Sequence, residues 1–154
     1  MQVRPARADD LEHLVACNAA LARETEDRAL DDSRLRRGVS ALLADRIRGE
    51  YFLATEGARV DGCLLVTREW SDWRAGWFWW IQSVYVVPEA RRKGVYRALH
   101  EDVLRRARAA GDVCGVRLYV DRDNRAAQSV YQRLGMTPTS YSVFETDFVL
   151  ETRG

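Results

Sequence analysis

The alternation of apolar and polar residues divides the chain into segments that predict strands and helices. Runs rich in β-branched and aromatic residues predict strands at residues 2–7, 51–55, 60–70, 77–87, 116–120 and 141–150, the last as one or two strands. Apolar residues at three- and four-residue spacing predict two helices after the first strand and one each after the fourth and fifth. Antiparallel strands followed by a β-α-β crossover predict an α+β fold, with a mixed, mostly antiparallel sheet flanked by helices.

The predicted helix ends carry residues that favour caps. Asp9 and Glu12 have the spacing of a capping box before the first helix, and Asp31 is a start signal for the second. Asn124 is a good N-cap for the last helix, and Gly135 is placed to end that helix in the left-handed conformation. These residues set the expected boundaries of three helices.

Length and composition are typical of one globular domain spanning residues 1–154. A formal net charge of +1 and the absence of a basic stripe argue against a nucleic-acid-binding protein. The N-terminus has no apolar leader and no apolar run approaches the length of a membrane span, so we expect a cytoplasmic protein that binds no membrane. Three widely spaced cysteines and two isolated histidines form no metal-ligand pattern, so we expect free thiols and no bound metal.

The most informative segment joins the fourth strand to the third helix. The apolar run ends at Pro88, and a basic turn, Arg91-Arg92-Lys93-Gly94, precedes the helical pattern. Unpaired N–H groups and the positive dipole end of a helix suit a phosphate, and adjacent Arg and Lys side chains would add charge. The turn has neither the spacing of a P-loop nor the dinucleotide-binding glycine pattern. The alternative interpretation is a basic helix start whose charges are solvated.

A second motif lies downstream, in the last predicted helix. Asn124, Ala127 and Tyr131 occupy positions i, i+3 and i+7, which places all three on one helical face. Taken alone, Ala127 and Tyr131 are each better explained as part of the apolar stripe of an amphipathic helix. The order and separation of the two motifs make the combination more specific than either.

Together the two motifs resemble the GNAT acyltransferases, the Gcn5-related N-acetyltransferases. Arg91 and Gly94 fill the Arg/Gln-x-x-Gly-x-Gly/Ala signature of that family, and Tyr96 stands where Gly or Ala is usual. The resemblance implies acetyl-CoA as the acyl donor. It also implies that its pyrophosphate is bound by the loop and helix start, comprising Arg91, Arg92, Lys93, Gly94, Val95, Tyr96 and Arg97.

The resemblance further implies that two neighbouring strands, residues 77–87 and 116–121, part from each other. The acyl-pantetheine arm would lie between them like an added strand and would bond the backbone of Val84, Tyr85 and Val86. In the last helix, Asn124 would contact the pantetheine and Ala127 would leave room for it to pass. Tyr131 would protonate the departing thiolate.

The acceptor side of the reaction is expected at a hairpin rich in tryptophan, between residues 70 and 80. Strand alternation predicts Trp80, Gln82 and Val84 on one face, with Trp79, Ile81 and Ser83 on the other. An aromatic wall with nearby carboxylates would suit a cationic amine, and its candidates are Glu69, Trp70, Asp72, Trp73 and Trp80. The alternative is core packing plus the surface of a homodimer.

The positions where other GNAT enzymes carry a glutamate base for deprotonating the amine hold no carboxylate in this chain. Residues 77–87 contain no carboxylate, and Tyr119 occupies the position where other family members carry a Glu. Glu24 and Glu26, at the end of the first helix, are the candidates, because that helix end borders the acceptor site in the family. Gln82 could instead position a water molecule that takes the proton. For either glutamate alone, a solvated charged helix end is the better explanation.

These observations predict an acetyl-CoA-dependent N-acetyltransferase in which a primary amine attacks the thioester directly. The Val86 N–H would polarise the thioester carbonyl, and the acceptor would be a small cationic or aromatic amine. Two alternatives remain, a protein or peptide N-acetyltransferase and a non-catalytic acyl-CoA-binding module. The missing base and the bulk of Tyr96 motivate the second alternative.

Overall fold

The structure is a computed structural model that describes residues 1–150. The strands are β1 (Gln2–Pro5), β2 (Glu50–Glu56), β3 (Arg59–Ser71), β4 (Gly76–Val86) and β5 (Val113–Arg117). The helices are α1 (Leu11–Glu26), α2 (Asp32–Ala44), α3 (Val95–Ala110) and α4 (Arg125–Arg133). The predicted order of elements is confirmed through α4, with β5 beginning a few residues earlier than expected.

The described chain divides into two compact units. The first, Met1–Tyr119, holds all five strands in one sheet with the order β1-β2-β3-β4-β5. Neighbouring strands are antiparallel except β4 and β5, which are parallel because α3 carries the chain back across the sheet between them. The predicted α+β class is therefore confirmed. The second unit begins at Val120 and contains α4.

Each face of the sheet in the first unit buries its own apolar cluster. On one face, Phe52, Leu64 and Ile81 of the strands pack with Leu99 and Val103 of α3. The cluster on the opposite face joins strand residues to α1 and α2, through Leu14, Val15, Val39, Leu53 and Leu65. Burial on both sides explains why β2 and β3 have nearly continuous apolar runs and little alternation. None of the helices within residues 1–150 is long and apolar enough to span a membrane.

A β-bulge interrupts β4 and changes which way its last residues face. Cys63 of β3 pairs with Tyr85, whereas Leu65 pairs with Gln82, so β4 carries one extra residue between these pairs. Ser83 lies in that interval with φ of 47°, an uncommon left-handed conformation for serine. The predicted alternation is consequently wrong beyond the bulge, because Val84 packs on the α3 face and not with Gln82.

The helix caps follow the sequence with one exception. The side chains of Asp31 and Asn124 accept hydrogen bonds from the N–H groups of Arg34 and Ala127, at 2.7 Å and 3.0 Å. Gly135 ends the last helix with φ of 86°. These three predictions are confirmed.

The predicted capping box of Asp9 and Glu12 is replaced by one that uses Asp10. Its Oδ2 accepts from the Arg7 N–H at 2.7 Å, and its two oxygens bind the Arg4 guanidinium at 2.8 Å each. Asp10 is buried, whereas Asp9 is exposed. A buried carboxylate must be paired, so the contact with Arg4, six residues earlier in β1, decides which aspartate turns inward.

The C-terminal segment differs from its prediction. Within the described residues 141–150 no strand is present, although this stretch is rich in β-branched and aromatic residues. Its large apolar side chains are exposed, namely Tyr141, Val143, Phe144, Phe148, Val149 and Leu150. β-Propensity reflects packing against neighbouring strands, and composition alone does not create the partner.

We expect Asp10→Asn to lower the free energy of unfolding near neutral pH by about 1–3 kcal/mol, because Arg4 would lose its charged acceptor. The hydrogen bond from Arg4 lowers the pKa of Asp10 below its ordinary value. The associated stability is therefore present above that ordinary value and is lost as pH falls through the lowered pKa. Chemical denaturation across acidic and neutral pH should show a shallower acid decline for the variant.

Asp9→Asn is the matched control, since Asp9 is the exposed neighbour in the same turn. Its free energy of unfolding should change by less than about 0.5 kcal/mol. Equal effects of the two substitutions would contradict the special role of Asp10.

Candidate active site

One edge of β4 is left open beyond the middle of the strand. The parallel ladder runs from Trp77 with Val113 to Trp80 with Arg117 and ends there in the described part of the chain. β4 continues to Val86, so its residues 81–86 have no strand partner on that edge within residues 1–150. The predicted separation of these two strands is confirmed.

The pairing with β3 shows which backbone groups point to the open edge. The Val87 N–H donates to the Asp61 carbonyl at 3.0 Å, on the β3 side. Since successive residues of a strand direct their backbone groups to opposite edges, those of Val86 and Val84 point to the open edge. Those of Tyr85 point toward β3. Of the three residues predicted to bond an extended ligand, the structure directs two toward the gap.

The basic turn begins immediately after β4 and a short 3₁₀ turn, Pro88–Ala90. Arg92 and Gly94 both adopt left-handed conformations, with φ of 62° and 80°. A Cβ on Gly94 would meet nothing within 4 Å, so the backbone conformation and not space favours glycine there. The turn delivers the chain directly into α3, whose first N–H groups lack partners within the helix.

Arg91 is partly exposed, and its guanidinium is bound to protein groups. Its Nη2 lies 2.6 Å from Glu24 Oε2, and its Nε donates to the Val86 carbonyl oxygen at 3.0 Å. The Tyr85 hydroxyl donates to the other Glu24 oxygen at 2.9 Å, and the guanidinium sits 5.6 Å from the centre of the Tyr85 ring. Among the cations of the turn, Arg92 and Lys93 form no ion pair within residues 1–150.

These contacts bear on Glu24 as a candidate base. Arg91 first, and the Tyr85 hydroxyl second, lower the pKa of the Glu24 carboxyl below its ordinary value. A carboxylate with both oxygens engaged and a lowered pKa is a weaker proton acceptor. Glu26 lies at the same helix end, with Oε2 3.7 Å from Arg28 Nε.

Tyr96, the bulky residue in the turn-and-helix motif, is directed along α3. Its hydroxyl forms a hydrogen bond with His100 Nδ1 at 3.2 Å, one helical turn further from the loop. His100 is fully buried, and burial lowers the pKa of its imidazole. Arg97 is likewise directed along the helix, with Nε 2.7 Å from Glu101 Oε1. The bulk at position 96 therefore lies against α3.

In the second compact unit, α4 and its N-cap carry the motif of Asn124, Ala127 and Tyr131. Asn124 uses its side-chain oxygen as the N-cap of the helix, and Gln128 braces the same end by donating to the carbonyls of Asp121 and Arg122 at 3.0 Å and 2.9 Å. Tyr131 is half-buried, and burial raises the pKa of its phenol. The hydroxyl therefore keeps its proton at neutral pH, as a general acid requires.

Comparison with known proteins identifies the family. The profile of the Acetyltransferase (GNAT) family matches residues 14–136. The crystal structure of a possible acetyltransferase from Clostridium difficile 630 is 40% identical, covers 97% of this chain and 98% of its own, and superposes with a TM-score of 0.90. The chain belongs to the GNAT acetyltransferase family. It is an N-acetyltransferase of a family that generally uses acetyl-CoA as the acyl donor.

More distant GNAT-type structures share the fold alone. A GCN5-related N-acetyltransferase from Ralstonia eutropha JMP134 is 22% identical, covers 94% of this chain and 97% of its own, and has a TM-score of 0.75. A ribosomal-protein-alanine N-acetyltransferase from Brucella melitensis biovar Abortus 2308 is 16% identical, covers 96% and 100%, and has a TM-score of 0.77. No curated protein sequence matches this chain.

The acceptor candidates of this GNAT protein do not form one cluster. Trp70 pairs with Trp77 on the α3 face of the sheet, where their rings meet edge-on at 5.0 Å. Glu69 and Trp80 lie on the opposite face, by their pairing with Phe78 and Thr67. The two remaining candidates, Asp72 and Trp73, occupy the turn between β3 and β4, with Trp73 exposed. Strand register thus divides the tryptophan-rich hairpin between two faces and a tip.

The structure adds neighbours that sequence reasoning did not assign to the acceptor face. The Tyr119 ring lies 6.0 Å from the Trp80 ring, centre to centre, and is tilted by 54° to it, and Thr67 accepts a hydrogen bond from Gln82 at 2.5 Å. Arg117 binds Glu69 at 2.9 Å. Thr67 belongs to β3, whereas Arg117 ends β5 and Tyr119 follows two residues later, so only the pairing of strands distant in sequence could reveal these neighbours. No group of His, Cys, Asp or Glu within residues 1–150 is arranged to hold a metal ion.

We expect Gly62→Ala to lower the free energy of unfolding by about 1–3 kcal/mol through overpacking. A Cβ at Gly62 would lie 2.8 Å from the Tyr85 carbonyl oxygen and 2.9 Å from Val95, where β3 passes the end of β4 and the start of α3. Denaturant unfolding measures the change. Gly38→Ala is the matched control, because a Cβ in that part of α2 meets nothing within 4 Å. That substitution should raise stability by about 0.5–1 kcal/mol.

Proposed function

We propose that this protein transfers the acetyl group of acetyl-CoA to the primary amine of a small cationic or aromatic molecule by direct attack. The open edge of β4 beyond Trp80 carries the proposal, because it offers backbone groups to an extended acyl donor within an otherwise paired sheet. Membership of the GNAT family supports the acyl donor. The acceptor class rests on the side chains around Trp80.

On the donor side, we assign the pantetheine amides to the backbone of Val84 and Val86. The pyrophosphate is assigned to the N–H groups of the turn and of the start of α3, with charge from Arg92 and Lys93. The side chains of Arg91 and Arg97 are engaged in ion pairs, so their residues contribute through the backbone. In the second unit, Asn124 and Ala127 of the family motif are assigned to the pantetheine arm by resemblance.

The transfer requires one bond to form and one to break. The acceptor nitrogen attacks the thioester carbonyl carbon, so that a C–N bond replaces the C–S bond. The Val86 N–H stabilises negative charge on the carbonyl oxygen as it develops. Tyr131 donates its phenolic proton to the departing sulfur. The attacking nitrogen loses one proton as the amide forms, and that proton returns to Tyr131 through water. The raised pKa of Tyr131 keeps that proton available at neutral pH.

The ammonium proton of the acceptor must leave before attack. We assign its removal to a water molecule positioned by Gln82, whose amide is held by Thr67 on the acceptor face. Glu26 is the alternative acceptor of this proton. Glu24 is less suited, because Arg91 and Tyr85 already engage its carboxylate.

The acceptor face favours a small amine with an aromatic or cationic part. Trp80 and Tyr119 provide two aromatic surfaces, and Tyr119 is exposed. Glu69 supplies a carboxylate on the same face, although Arg117 balances part of its charge. Aromatic rings attract both flat apolar groups and ammonium ions.

The test is acetyl transfer to a panel of aromatic amines, polyamines, aminoglycosides, amino acids and peptide amines, with the product identified by mass spectrometry. Detection of the product itself avoids the thiol background from Cys17, Cys63 and Cys114. Turnover that is fastest on a small aromatic or cationic amine supports the proposal. Preferential turnover on peptide amines would contradict the proposed acceptor class, and no turnover on any amine would contradict the proposed reaction.

We expect Tyr131→Phe to lower kcat by about 100-fold or more, because the departing thiolate would lose its proton donor. Affinity for coenzyme A, measured by calorimetry, should stay within about twofold, since the ring remains in place. Tyr141→Phe is the matched control, as Tyr141 is an exposed tyrosine of the same unit. An undiminished kcat for Tyr131→Phe would remove this residue from the mechanism.

A further inference from the structure

The Glu24–Arg91 ion pair sits at the point where β4 ends and the phosphate-binding turn begins. We propose that Glu24 is a positioning residue that holds the Arg91 guanidinium on the Val86 carbonyl and thereby orients the Val86 backbone at the open edge of β4. This inference rests on the proposed function, in which the Val86 N–H stabilises the reacting carbonyl.

The contacts form a continuous path from α1 to β4. Glu24 lies in the last turn of α1, and its two carboxylate oxygens bind Arg91 and the Tyr85 hydroxyl. Arg91 uses a second nitrogen, Nε, to bind the Val86 carbonyl oxygen. The guanidinium is therefore held on the carboxylate and the carbonyl at once, with the Tyr85 ring beneath it. A planar guanidinium can make such paired contacts in a fixed geometry, whereas an ammonium cannot.

The consequence concerns a segment that lacks its neighbour strand. On the open edge, no strand within residues 1–150 pairs with Val86, so its carbonyl takes its hydrogen bond from Arg91. The N–H and carbonyl of Val86 point to the same edge and belong to adjacent peptide units that meet at the Val86 Cα. Fixing the direction of the carbonyl therefore limits the backbone angles of Val86 that also direct its N–H. Arg91 thus replaces the restraint that a paired strand would supply.

The pair is well suited to positioning and poorly suited to global stability. In the folded protein, 41% of the Glu24 side-chain surface and 44% of the Arg91 side-chain surface are exposed to solvent. Exposed ion pairs contribute little to folding because water screens them. Loss of the pair should therefore alter the Val86 backbone while the protein stays folded, which separates this role from a general structural one.

The experiment compares Glu24→Gln, Arg91→Lys and the control Glu12→Gln. Glu12 is another α1 glutamate paired with an arginine, Arg36, at the opposite end of the helix. Lysine at position 91 could still pair with Glu24 but could not hold both the carboxylate and the Val86 carbonyl. Two readouts are taken: the backbone amide order parameter of Val86 by NMR in the protein without acetyl-CoA, and the separate kcat and KM values.

For both Glu24→Gln and Arg91→Lys, we expect the Val86 order parameter to fall from about 0.85 toward 0.6, while the melting temperature stays close to that of the wild type. We expect kcat to fall about five- to tenfold, which is less than the fall caused by removing an oxyanion donor altogether. The KM for acetyl-CoA should stay within about twofold of the wild-type value. Glu12→Gln should match the wild type in every readout.

Three results would overturn the inference. An unchanged Val86 order parameter in Glu24→Gln would show that the ion pair does not restrain this backbone. A raised KM for acetyl-CoA with unchanged kcat in Arg91→Lys would show that the Arg91 side chain binds the phosphate. A large loss of kcat in Glu24→Gln with wild-type behaviour of Arg91→Lys would place Glu24 on the substrate itself. Absence of turnover in the wild type would contradict the proposed function alone, because the order parameter is measured without any acyl donor.

Discussion

Hydrogen bonding between β4 and β5 stops at Trp80, and the geometry of the active site depends on this early end of the ladder. The remaining residues of β4 stay in register with β3 on one side only, and the bulge at Ser83 bends the strand within this segment. An unpaired edge inside a sheet is costly for a folded protein unless something binds it. In the function that we propose, the same gap that interrupts the sheet is the place for an extended acyl donor.

The charges around this gap divide between structural and binding roles. Arg91 and Arg97 are taken up by Glu24 and Glu101, so the basic turn presents fewer mobile cations than its composition implies. Backbone N–H groups at the start of α3 do not depend on side-chain rotamers, and they supply a fixed positive end for a phosphate. Tyr96 lies against His100, which reconciles a bulky residue with a position that is usually small in the GNAT family.

Periodicity predicted most of the fold, because local apolar spacing reports directly on which side of an element is buried. The caps at Asp31, Asn124 and Gly135 were predictable for the same reason, since each satisfies backbone groups a few residues away. The choice of Asp10 over Asp9 was not predictable, as it depends on Arg4 in the preceding strand. The tryptophan-rich hairpin shows a similar limit, because composition gathered five candidates that the register of β3 and β4 distributes over different surfaces.

By itself, the sequence determined the order of the elements through α4, the basic turn at a helix start and the family motif around Tyr131, which all depend on spacing along one segment. Tertiary structure decided where β4 parts from β5 and which backbone groups point into the gap. It also brought Arg91 into its ion pair with Glu24. It also decided that residues 141–150 form no strand despite their composition. The physical reason is that strand pairing, bulges and ion pairs join residues distant in sequence, and their energies depend on neighbours that local pattern does not specify.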